Sequence, residues 1–150
     1  MTNTYTPPTF NQNDILSWKS YLEEQGYVVL KDILIQNTKK RYFQQFKTEW
    51  CQVSKGFSWE NESTWTAKNL PIMLSKGLAV YSGWGHSDFM WSLRTNPRIY
   101  GIFEKLYETT DLVCSFDGFS TFFDSKIQKS PSWLHVDQNP KTTINSYQGA

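Results

Sequence analysis

Apolar positions along the chain first fall into a helical rhythm and later into alternation, so the pattern predicts helices early and strands late. Residues Met1 to Gln12 are polar and contain Pro7-Pro8, which predicts a flexible, extended lead-in rather than part of the core. Asn13 or Asp14 is placed to cap a helix whose Ile15, Trp18, Tyr21 and Leu22 share one face, and Gly26 is placed to end it. Tyr27-Val28-Val29-Leu30 has the composition of a short buried strand. A second helix fits Gln36 to Trp50, with Tyr42, Phe43, Phe46 and Trp50 as an aromatic stripe read as plain core packing.

Between Gln52 and Gly85 the rhythm is lost and glycines and Pro71 recur, which predicts long irregular connections running over the surface. Helical spacing returns at Asp88 to Leu93. Asn96-Pro97 then reads as a cap plus first-turn proline for a helix carrying Ile99, Ile102, Phe103, Leu106 and Tyr107. Helices are therefore expected to about residue 108. Beyond Thr109-Thr110, Leu112, Cys114 and Phe116 alternate with Val113, Ser115 and Asp117, and Phe119 to Phe123 continues in aromatic and threonine-rich style, predicting strands there and again at Trp133 to Asp137 and Thr142 to Gln148.

The 150 residues suit one domain, running from residue 13 to 150. A mean hydropathy of -0.55 would suggest a thin core, but the aromatic fraction of 17% supplies the missing apolar area. A net charge of +1 gives no field for nucleic acid or an anionic membrane surface. No stretch approaches the roughly 18 apolar residues of a membrane span, and the N-terminus lacks a signal-peptide pattern. The expectation is a soluble, cytoplasmic protein with no nucleic-acid or membrane partner. Cys51 and Cys114 have no zinc or C-x-x-C spacing, so both are expected to be reduced.

Each of the two histidines opens a His-x-Asp triplet, His86-Ser87-Asp88 and His135-Val136-Asp137. The first lies where a helix begins, and capping by Ser87 or Asp88 accounts for it. In the second, residues i and i+2 of a strand project to one face, so His135 and Asp137 would point together, with Trp133 beside them and Val136 turned away. An imidazole and a carboxylate suit iron, manganese or zinc, and with a second histidine they make the facial triad of iron(II) oxygenases. The bland alternative is a surface histidine beside a turn-forming aspartate ahead of Asn139-Pro140. A zinc hydrolase would need His86 brought to the same site as a third ligand.

Five segments, in order, extend this comparison: Gly26 to Leu30, His86 to Arg94, Ser115 to Gly118, Trp133-Leu134-His135-Val136-Asp137-Gln138, and Tyr147 to Ala150. Together they resemble the phytanoyl-CoA dioxygenase-like family of iron(II)- and 2-oxoglutarate-dependent oxygenases, from about Asp14 to the last residue. The resemblance implies an α+β fold, with N-terminal helices packed on an incomplete double-stranded β-helix, a jelly-roll or cupin-like barrel. It implies Fe(II) held by His135 and Asp137, 2-oxoglutarate as co-substrate, and hydroxylation of a small-molecule substrate. Because relatives that halogenate lack the carboxylate ligand, Asp137 also favours hydroxylation. Gln138 and Gln148 are candidates to face the metal cavity or 2-oxoglutarate.

The family's later histidine and its 2-oxoglutarate-binding arginine have no counterparts here, since no histidine follows His135 and Arg41, Arg94 and Arg98 all precede it. The chain is therefore expected to be the N-terminal part of a longer protein, a split gene product or a decayed copy. Alone it is expected to have no turnover, with a second chain or a C-terminal segment completing the barrel. The competing expectation is a non-catalytic binding or structural domain derived from that fold, using its Trp and Tyr side chains against a partner.

Overall fold

The computed structural model describes residues 5–74, 77–121, 139, 141 and 146–149. It begins with a strand–helix–strand unit: β1 (Thr9–Asn11), α1 (Ile15–Gln25) and β2 (Val29–Lys31). The two strands pair in parallel with Phe10 opposite Leu30, and α1 provides the crossover that parallel pairing requires. The expected lead-in thus ends in a paired strand. Gly26 closes α1 in the left-handed conformation, φ 75°, and its N–H donates to the Leu22 carbonyl at 2.8 Å. Trp18 is fully buried, and its indole N–H donates to the Gln12 carbonyl at 3.3 Å, which ties the helix to the chain leading into it.

The second helix, α2 (Gln36–Val53), runs three residues beyond Trp50. Its aromatic stripe is core packing, as expected: Tyr42 and Trp50 are buried, and the Phe46 ring lies 5.4 Å from Trp50 and 5.7 Å from Trp59. Phe43 is the exception, being more than half exposed at the edge of the stripe.

The aperiodic stretch after α2 does not simply cross the surface, because it delivers Phe57, Trp59, Trp65 and Trp84 into the same aromatic cluster. Its local hydrogen bonds explain how irregular backbone can sit against a core. Asn61 caps a short 3-10 turn, Glu62–Thr64, and the indole N–H groups of Trp59 and Trp65 donate to the carbonyls of Lys47 and Ser58.

A second 3-10 turn, Trp84–His86, leads into α3 (Asp88–Arg94) and then α4 (Pro97–Tyr107). Asn96 caps α4 as its sequence predicts, its side-chain oxygen accepting from Arg98 N–H at 3.0 Å, while its amide donates to the Tyr42 hydroxyl of α2 at 2.8 Å. One short antiparallel pair, β3 (Leu78–Ala79) with β4 (Phe119–Ser120), lies over the cluster through Ala79 and Phe119.

The alternation from Leu112 to Asp117 does not give a strand; only Phe119–Ser120 pairs. Alternation fits a pleat but supplies no partner, and the backbone of this segment is used differently, as described below. Residues 146–149 are likewise not in a strand, and the strand expected at Trp133 to Asp137 lies outside the described residues. Among the described residues no helix is long and apolar enough to cross a membrane.

Candidate functional site

Two of the sequence segments, His86 to Arg94 and Ser115 to Gly118, meet in space around the Arg94 side chain. Its Nη2 donates to the Asp117 carbonyl at 2.6 Å and its Nη1 donates to the Gly85 carbonyl. The guanidinium also lies 5.6 Å from the Trp91 ring centroid, one helical turn back. Beyond it, Trp91 meets Phe116 edge-on at 5.6 Å, and Phe116 stacks on His86 at 4.9 Å with ring planes 23° apart.

Glycine makes this convergence possible at two points. A Cβ on Gly85 would collide with the Phe116 carbonyl, and one on Gly118 with the Ala79 carbonyl. The backbone of 116–118 therefore passes directly over the 3-10 turn and over β3. It is held there by arginine-to-carbonyl bonds instead of a sheet ladder.

The first turn of α3 is capped twice. Ser87 Oγ accepts from Met90 N–H at 3.2 Å, and the Glu49 carboxylate, on α2, accepts from Phe89 N–H at 2.9 Å. The His86-Ser87-Asp88 triplet is thus a helix start, with Asp88 in the first turn. His86 is exposed and engaged with Phe116. Among the described residues no three His, Cys, Asp or Glu side chains form a metal-binding group.

His135, Asp137 and Gln138 lie outside the described residues, as does Trp133. Gln148 is exposed and sits next to Tyr147, whose N–H donates to the Tyr107 hydroxyl at 3.1 Å while the two rings meet at 5.3 Å. That contact places Gln148 near the C-terminal end of α4. Ser115 and Asp117 are exposed, and Cys51 and Cys114 are both exposed free thiols.

No known family model matches the chain. No solved structure matches it. The chain is similar to a curated protein of Aspergillus versicolor named Ava biosynthesis cluster protein O, with 33% identity over 125 residues. The match covers 82% of this chain and 40% of that relative, so the chain spans less than half the relative's length.

Sequence reasoning missed Arg94 and Glu49. Arg94 stands in the last turn of α3, where a cation is ordinary because it complements the helix dipole. Glu49 lies one residue before the buried Trp50 and reads as a polar position between core residues. Nothing in the local sequence announces a partner 40 residues away. The usable signal was in the glycines, since Gly85 and Gly118 flank the two segments that the guanidinium joins.

Proposed function

We propose that this chain supplies the N-terminal helices and two metal ligands, His135 and Asp137, of an iron(II)- and 2-oxoglutarate-dependent oxygenase of the phytanoyl-CoA dioxygenase type. The observation that carries the reading is the run Trp133-Leu134-His135-Val136-Asp137-Gln138. Its donor set, one imidazole and one carboxylate two residues apart, fits a hard-to-borderline divalent metal and leaves room for a bidentate co-substrate. Iron held there would supply the oxygen chemistry that couples 2-oxoglutarate decarboxylation to hydroxylation of a small molecule. The barrel, a jelly roll, is completed in this proposal by a further segment or a second chain that brings the third ligand. The short match to a longer relative is compatible with that arrangement, and the relative's name, a biosynthesis cluster protein, motivates a small-molecule substrate. A cytoplasmic location is part of the same proposal, motivated by the two free thiols.

The test is to add iron(II) and 2-oxoglutarate anaerobically to the chain and look for the weak visible absorption band of the chelate. A band that disappears in His135→Ala supports the reading. Folded protein that retains no iron and shows no band removes the catalytic reading for this chain.

A second reading, a non-catalytic domain that binds a partner, is favoured by apolar side chains left in solvent, among them Leu16 at 86% and Phe43 at 59% exposure. It predicts that His135→Ala keeps partner binding, whereas replacing exposed aromatic residues abolishes it.

A further inference from the structure

Arg94 is a half-buried cation whose guanidinium is held by backbone carbonyls. Lys19 pairs with Glu108 at 2.7 Å and Lys47 with Glu60 at 3.3 Å, but no carboxylate among the described residues pairs with Arg94. Among the described residues its hydrogen bonds are the two to backbone carbonyls, which leaves three of the five guanidinium N–H donors. A part-buried cation without an anion is costly, and those carbonyls offset only part of the lost hydration. The same bonds fix the plane of the guanidinium, so no side-chain ordering is needed when an anion arrives.

What surrounds it is aromatic and accessible. Trp91 lies under the guanidinium, and Phe116, which is 56% exposed, continues the stack to the exposed His86. We infer that Arg94 anchors a carboxylate-binding site, walled by Trp91 and Phe116 and open at His86, that takes a small planar aromatic acid. The guanidinium fork matches the two oxygens of a carboxylate, and the exposed part of Phe116 beside Trp91 offers apolar surface to a flat body. A phosphate would match the fork equally well but would gain nothing from the rings. The inference is independent of iron at His135 and Asp137.

The probe is benzoate, titrated into the isotope-labelled chain while the Arg94 Nε–H and Trp91 indole resonances are followed. Both resonances are expected to shift saturably, and Arg94→Lys is expected to weaken benzoate roughly tenfold by removing the fork. Arg98→Lys should leave the affinity unchanged, since Arg98 is exposed and outside the stack. Inorganic phosphate should bind more weakly than benzoate. An Arg94 Nε–H that does not move in the wild-type chain overturns the site, a reading that does not depend on any variant folding. Arg94→Lys binding benzoate as tightly as wild type overturns the anchor, and phosphate binding more tightly than benzoate overturns the aromatic-acid assignment.

Discussion

The carboxylate of Glu49 accepts the backbone N–H of Phe89 at 2.9 Å, so a side chain of α2 caps the first turn of α3 from across the helix interface. Ser92 Oγ and Gln45 Oε1, 3.1 Å apart, make a second polar link between the same helices. A carboxylate at a helix N-terminus satisfies an orphan donor and meets the positive end of the helix dipole. Glu49→Ala should therefore lower unfolding free energy by about 1–2 kcal/mol, and Glu49→Gln by less, because the amide oxygen still accepts. Urea unfolding checks this: the midpoint should fall with little change in slope.

Gly26 and Gly118 should respond differently to alanine. Gly26 has φ 75° and open space around it, so Gly26→Ala meets only the left-handed backbone penalty, about 1 kcal/mol. Gly118 has the Ala79 carbonyl where its Cβ would be, and backbone cannot move aside as a side chain does. Gly118→Ala should cost about 3 kcal/mol or prevent folding. Thermal melts of the two variants side by side decide it, and equal losses would refute the close approach of 118 to β3.

These positions also show what the sequence could and could not reveal. Helix starts and stops were legible where the cause is local: Gly26 ending α1, Asn96-Pro97 opening α4, and Ser87 opening α3. Strands were legible only in part, because pairing depends on a distant partner: Tyr27 to Leu30 reads as a strand and gives β2, and Phe119–Ser120 pairs with β3. Thr9–Asn11 is short and polar yet pairs with β2, whereas Leu112 to Asp117 alternates well yet is held by Arg94 and by passage over Gly85. The capping role of His86-Ser87-Asp88 was legible for the same local reason. Arg94 and Glu49 were hidden because their partners are 23 and 40 residues away.

A surface ion pair gives the pH prediction. Lys19 of α1 donates to Glu108, just beyond α4, at 2.7 Å, and this hydrogen bond, with the lysine's charge, holds the glutamate carboxyl below its ordinary value. A lowered folded-state pKa means the contribution to stability is present above the unfolded-state value and is lost as pH falls through the folded-state value. The group is exposed, so the effect is small and weakens with salt. Carboxyl-carbon NMR should find Glu108 titrating below a free glutamate, and Lys19→Met should return it to normal.

The two His-x-Asp triplets give the last prediction, because the proposed function and the observed capping assign them opposite roles. His86 stacks on Phe116 beside a helix start whose donors are already met by Ser87 and Glu49, so it offers no reason to hold a metal. His135 and Asp137 carry the proposed iron site. Anaerobic iron(II) binding should therefore be lost in His135→Ala and in Asp137→Ala, and unchanged in His86→Ala. A stability measurement should give the reverse order for Ser87→Ala, which removes a cap worth about 1 kcal/mol while leaving iron binding intact. If His86→Ala were the variant that lost iron, the metal would belong to the helix start, and the zinc-like alternative built on His86 would replace the oxygenase reading.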